Sequence, residues 1–139
     1  MDALVLFNRF TEPDIDIHNL RIKTTFSFST QEDIFNILRW VAILHEHIEC
    51  DISATTGIHT AEGIIKLILA GASTVQLASV LYKNGIKKIG ALLEAIDSWM
   101  AKYKLKNVQD FKGNVGFSPN YDAEVYLRAQ FMEKIRDIE

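Results

Sequence analysis

One cysteine, two prolines and seven glycines are all that this 139-residue chain holds of those types. A lone cysteine, Cys50, leaves no internal disulfide and no cysteine-rich metal site, so a reducing cytoplasm is the expected compartment. No stretch approaches about eighteen uninterrupted apolar residues, and the start, MDALVLFNRF, lacks the basic region of an export signal. Positive charge is not in excess either. A formal net charge of −3 and a pI near 5.8 give no general attraction to phosphate backbones or anionic membranes, so neither nucleic acid nor membrane is an expected partner. What the chain does have is 48% apolar residues, enough for one core in one domain spanning residues 1–139.

Three short apolar runs alternate with helical patterns. Ala3 to Phe7 suits a strand buried on both faces, as parallel strands are. Residues 11–29 form an irregular excursion with a hairpin-like strand, and Asp14 and Asp16 are expected on a loop there. Ser29-Thr30-Gln31-Glu32 matches a capping box in which Ser29 accepts from a first-turn amide and Glu32 reaches back. The set Ile34, Ile37, Leu38, Val41 and Leu44 then predicts a helix to about His47. CDISAT supplies a second buried strand, Thr60 caps a helix that Gly71 stops, and STVQLAS supplies a third strand of similar length. Ile86, Ile89, Leu92, Leu93, Ile96 and Met100 mark a long helix, with Lys83, Lys87 and Lys88 outward. Residues 1–112 thus hold three βα units. Residues 113–139 hold a linker and a last helix from about Tyr121, striped by Val125, Ala129, Met132 and Ile135.

Strands alternating with helices define an α/β chain with a parallel sheet, either an open three-stranded sheet or three staves of a barrel. The ends of the last two strands, TTGIHT and LASVLYKNG, favour the barrel, in which reactive groups sit at strand C-termini and phosphates bind in the last two strand loops. Free amides around Thr56, Gly57, Ala78 and Ser79 are the candidate anion donors, with SVLYKN as a short helix adding its dipole. Spacing alone leaves Gly57 either a tight turn or an anion cradle, and Ala78-Ser79 either close packing or its second half.

DALVLFNRFTEPDIDI, LRWVAIL, DISATTGIHTAEGIIKLILAGASTVQLASVLYKNG and YDAEVYLRAQFMEKI together resemble the C-terminal part of dihydroorotate dehydrogenase-like flavoproteins, near the soluble class 1 enzymes. That resemblance implies an FMN-binding TIM barrel that oxidises dihydroorotate to orotate by hydride transfer to the flavin, in pyrimidine biosynthesis. The chain would hold the sixth to eighth strands and an extra C-terminal helix, a partial barrel. Thr56 and Gly57 then fall on the family's phosphate loop after the seventh strand, usually a glycine pair, so Thr56 must take a conformation that glycine takes. Ala78 and Ser79 fall on the matching loop after the eighth, usually glycine and threonine. Asn8, after the sixth strand, matches an asparagine that hydrogen-bonds the orotate-like substrate; without the resemblance it is an exposed turn residue.

A whole barrel needs about 250 residues and eight strands. The first five strands, the lysines near the flavin and the cysteine or serine base are not among the matched residues, so catalysis by this chain alone is not expected. Cys50 is expected as a small buried residue at the inert end of the seventh strand. His45 and His47 lie two apart on a helix, point to different faces and share no ion, so a solvated helix end is expected there. His59 follows the phosphate loop, where it either touches a ligand or, as expected, lies at the surface, and Trp40 and Trp99 are expected as packing anchors. Two functions remain: a C-terminal flavin-oxidoreductase segment carrying an FMN phosphate half-site, or a non-catalytic α/β remnant that self-associates or docks on a partner. Unpaired strand edges and uncovered apolar faces invite either a homo-oligomer or a complementing N-terminal barrel segment.

Overall fold

β1 (Ala3–Leu6) leads through an antiparallel pair, β2 (Pro13–Asp16) and β3 (Arg21–Thr24), to helix α1 (Ile34–His45). β4 (Asp51–Thr55), α2 (Ala61–Leu69), β5 (Thr74–Gln76), α3 (Ser79–Asn84) and α4 (Lys88–Lys102) follow. The computed structural model describes residues 2–9, 13–24 and 27–115. The expected C-terminal helix and its stripe lie outside them.

β1, β4 and β5 form one parallel sheet in that order, with Leu4 opposite Ile52 and Ala54 opposite Val75. The protein is thus α/β, with an open sheet of three adjacent strands in the manner of a partial TIM barrel and no closed barrel among the described residues. Alternation along β4 buries Ile52 and Ala54, which join Ile37 and Val41 of α1 and Ile64, Leu67 and Ile68 of α2 in one core. Burying each of the larger aliphatic side chains contributes about 1.5–3 kcal/mol. Thr60 caps α2 as expected, its hydroxyl accepting from the Gly63 amide at 3.2 Å. Beyond α4, a single helical turn capped by Asn107 brings Phe111 into the core and returns the chain to α2, where Gly113 and Val115 donate to the carbonyls of Ile68 and Leu69. Trp99 packs there between Tyr103 and Phe111, at ring separations of 4.9 and 5.1 Å.

Several expectations need correction. β1 is not buried on both faces: Ala3 is exposed and Val5 is 53% exposed, because they lie on the sheet face they share with Asp51, Ser53 and Thr74, none of which is buried, while Leu6, Ile52 and Ala54 on the other face join the core. β5 is only three residues long. The long amphipathic helix starts at Lys88, leaving Ile86 ahead of it and exposed; Leu93 is exposed too, because α2 covers a narrower stripe than the sequence offers. Asp14 and Asp16 sit on β2, and the Asp16 carboxylate accepts from the amides of His18 and Asn19 at the turn into β3. The capping box lies one residue further along. Thr30 begins the turn before α1 and donates its amide to the Asp33 carboxylate at 2.7 Å, while the Ser29 hydroxyl is engaged elsewhere.

At the sheet's N-terminal edge, the Ser73 hydroxyl donates to Asp51 at 2.5 Å and Lys112 donates to Ser73 at 2.5 Å. His45, expected on a solvated helix end, is half-buried: its ring occupies the space where Gly71 and Gly113 would carry β-carbons. His47 instead contacts the Ile43 carbonyl. Cys50 is half-exposed rather than buried, because the strand has not yet entered the sheet.

Gly71 has φ +118° and its missing β-carbon space is filled by His45, whereas Gly85 has φ +76° and open space around it. Gly71→Ala should therefore cost several kcal/mol, and Gly85→Ala about 1–3 kcal/mol from backbone strain alone, as thermal unfolding will show. Hydrogen bonds hold four exposed carboxyls below their ordinary values: Ser73 and then Lys112 act on Asp51, Asn19 on Asp16, Lys66 on Glu62, and the Lys106 and Asn107 amides on Asp110. A lowered folded-state pKa gives stability that is present above the unfolded value and lost as pH falls through the folded one. The unfolding midpoint should hold from neutrality to about pH 5 and fall below it, less steeply in Asp51→Asn.

Candidate functional site

A parallel sheet delivers all its strand exits to one edge. Residues 7–9 leave β1 there, 56–59 leave β4 and 77–79 leave β5. The peptide bond between Leu6 and Phe7 is cis. Thr56 and Gly57 follow β4 with φ of +79° and +75°, so Thr56 does adopt a conformation that suits glycine. For a β-branched residue that costs about 1–3 kcal/mol. Part of it is offset because the Thr56 hydroxyl donates to the Phe7 carbonyl at 2.9 Å, a bond contributing about 1 kcal/mol and tying the first exit loop to the second.

Gly57 is buried, and a β-carbon on it would collide with the Ile34 amide nitrogen and lie 2.9 Å from the Asp33 carbonyl carbon. The bare Cα therefore makes room for the start of α1. What this loop leaves for a ligand is its backbone donors. None of the amides of Thr56, Gly57, Ala78 and Ser79 donates to a backbone acceptor among the described residues. SVLYKN does form the expected short helix, α3, but its six residues carry only a small dipole.

The loops after β4 and β5 are joined by a residue from neither. Ser29, 6% exposed, is hydrogen-bonded to Ser79 Oγ at 2.9 Å and lies 3.3 Å from His59 Nε2. His59, expected at the surface, is half-buried in this contact because Ser29 is brought over it by the run into α1. Lys83 is exposed as expected, and its ammonium reaches to 3.4 Å from the Ser29 carbonyl and 5.6 Å from the Phe28 ring centre. An apolar groove of about 520 Å³ begins beside Ser79 and is walled by Phe28, Leu77, Leu81, Tyr82 and Ile86.

Of the sequence-derived candidates, Thr56, Gly57, Ala78 and Ser79 all stand on adjacent loops at the same sheet edge. Asn8 stands on the first loop of that edge, exposed, its side chain without a hydrogen bond among the described residues. Arg9 beside it donates to the Ser27 carbonyl at 2.9 Å and faces Asp33 at 3.7 Å. The sequence left His59 between a ligand contact and a surface position, whereas Ser29 and Lys83 are additions to this edge that it did not yield. Lys83 carries a usable signal, since it lies four residues after Ser79 and so on one helical face with it. Ser29 carries none, its partner being fifty positions away. Among the described residues no group of three or more histidine, cysteine, aspartate or glutamate side chains is placed to hold a metal ion.

Thr56 offers a direct test of the loop. Thr56→Gly removes the strain and the hydroxyl bond together and should change stability by no more than about 1 kcal/mol. Thr56→Val keeps the strain and loses the bond, so it should be the worse of the two by about 1–2 kcal/mol in denaturant unfolding.

No protein-family model matches the chain, and no curated protein matches it in sequence. Solved structures do match it in fold. The crystal structure of DHODH from Eimeria tenella in complex with ferulenol superposes with a TM-score of 0.64 at 20% identity, over 81% of this chain and 30% of that one. The chain thus spans less than a third of that neighbour's length. At this identity the likeness establishes a DHODH-like fold for the three-stranded segment.

Proposed function

We propose that this chain supplies the phosphate-binding half of an FMN site in a dihydroorotate dehydrogenase-like flavin oxidoreductase, which oxidises dihydroorotate to orotate. One observation carries the reading: two neighbouring strand-exit loops with unengaged backbone amides are held together at the edge where α/β sheets bind ligands. The DHODH-like fold supports it. A phosphate needs donors, and the residues present fit that need, with amides at 56, 57, 78 and 79 and a hydroxyl at Ser79. Bound FMN supplies the hydride acceptor. The chain's own residues anchor the phosphate and, through Asn8 on the first loop, hydrogen-bond the orotate-like substrate.

Proton abstraction is not assigned to this chain. Its one cysteine, Cys50, precedes β4 at the opposite sheet edge. The catalytic base and the wall over the flavin would come from a complementing N-terminal barrel segment. A second reading, a self-associating or partner-docking α/β module without catalysis, is favoured by the exposure of Val5 on outer strand β1 and of Phe35 and Trp40 on α1.

Flavin titration separates the two. FMN should quench on binding, inorganic phosphate should displace it, and riboflavin, which lacks the phosphate, should bind at least about tenfold more weakly, a difference of about 1.4 kcal/mol. Equal affinity for FMN and riboflavin, or no binding of either, would remove the phosphate half-site. Concentration-dependent association in sedimentation without any flavin affinity would leave the second reading.

A further inference from the structure

Ser29 is almost fully buried, yet its hydroxyl belongs to neither loop proposed to hold the phosphate. Its hydroxyl lies 2.9 Å from Ser79 Oγ and 3.3 Å from His59 Nε2, with one proton for the two contacts. Two orders of donation fill both: His59 to Ser29 to Ser79 with Nε2 protonated, or Ser79 to Ser29 to His59 with Nε2 bare. Only the first leaves the Ser79 proton, which has no other side-chain acceptor among the described residues, as a free O–H at the start of α3.

We infer that Ser29, anchored by His59, is a positioning residue that fixes the Ser79 hydroxyl as a donor toward a phosphate monoester; the inference rests on the half-site reading above. A free serine rotor presents an anion with either its proton or a repelling lone pair. With His59 Nε2 protonated, the Ser79 lone pair is occupied from Ser29, which leaves the proton for the ligand. Each donor in the row also polarises the next. Burial of Ser29 confines its hydroxyl to these two contacts, because a rotamer that left both would strand it away from water, and an anion beside Ser79 then selects the order that presents a proton. The Ser29 backbone is held as well, its carbonyl accepting from Lys83 at 3.4 Å. Such an end favours a phosphate over a ligand that must itself donate.

The test measures dissociation constants for FMN and inorganic phosphate alongside thermal unfolding. Ser79→Ala should weaken both ligands about tenfold and Ser29→Ala about five- to tenfold, the loss of one hydrogen bond to a charged group. Because the two hydroxyls act as one unit, the double variant should bind no worse than Ser79→Ala alone. His59→Gln, which keeps a donor, should bind more tightly than His59→Leu, and that pair together with Ser29→Cys decides the matter if Ser29→Ala does not fold. Weakening by Ser79→Ala without weakening by Ser29→Ala, or losses that multiply in the double variant, overturns the positioning role and leaves the half-site intact. Parent-like binding by Ser79→Ala overturns the half-site reading and this inference with it.

Discussion

The loop after β4 meets the start of α1 at a distance that leaves no room for a β-carbon. Gly57 sits against the backbone of Asp33 and Ile34, and everything at the strand-exit edge follows from that approach. It brings the run into α1 over the loop, which places Ser29 above His59 and beside Ser79. It also sets Thr56, one residue earlier, at positive φ, because the turn that delivers Gly57 to α1 begins there. A larger residue at position 57 would displace α1 before it obstructed any ligand. Loss of binding on such a change would therefore report packing, and the cleaner probes are the side-chain hydroxyls.

Side chains tie this edge together: the Thr56 hydroxyl donates to the Phe7 carbonyl, Ser29 is hydrogen-bonded to Ser79, and Lys83 donates to the Ser29 carbonyl. The amides of Thr56, Gly57, Ala78 and Ser79 are left without a hydrogen-bond acceptor among the described residues, as are the carbonyls of Thr56, Gly57 and Leu77 without a donor. The amides are available although the protein has a net negative charge. Local dipoles, not net charge, would make the edge receptive to an anion. The apolar groove beyond Ser79 adds wall without adding acceptors at the anion's position.

Local patterns made most of the fold legible. Alternating apolar residues and β-branched runs marked the strands, Thr60 and Gly71 marked the two ends of α2, and the order of parts gave the parallel sheet. The same patterns erred wherever a neighbour decided the outcome. β1 has a two-sided apolar sequence but only one face of its sheet is covered by helices, and Leu93 belongs to a stripe wider than its partner helix. The capping motif was found but misplaced by one residue, because Ser29 had a better use fifty positions away. The placing of Thr56, Gly57, Ala78 and Ser79 on neighbouring strand-exit loops was visible because loop chemistry is local. The contact between Ser29 and His59 was not, because only the folded chain brings them together.

Within the proposed reading, the two halves of the site differ in how much they depend on neighbours. The phosphate donors lie between β4 and β5, bridged by a buried serine, and all the groups that position them are in this chain. Asn8 follows β1, the strand whose outer edge is unpaired among the described residues, and it stands exposed with no partner to orient its amide. A substrate contact there needs a wall from the next strand over, whereas an anion contact between the last two strands does not. The division follows from the sheet order alone: an inner crevice is complete with three strands, and an outer one waits for a fourth. Phosphate affinity can therefore survive in a segment of a barrel that has lost, or not yet met, the partner needed for its chemistry.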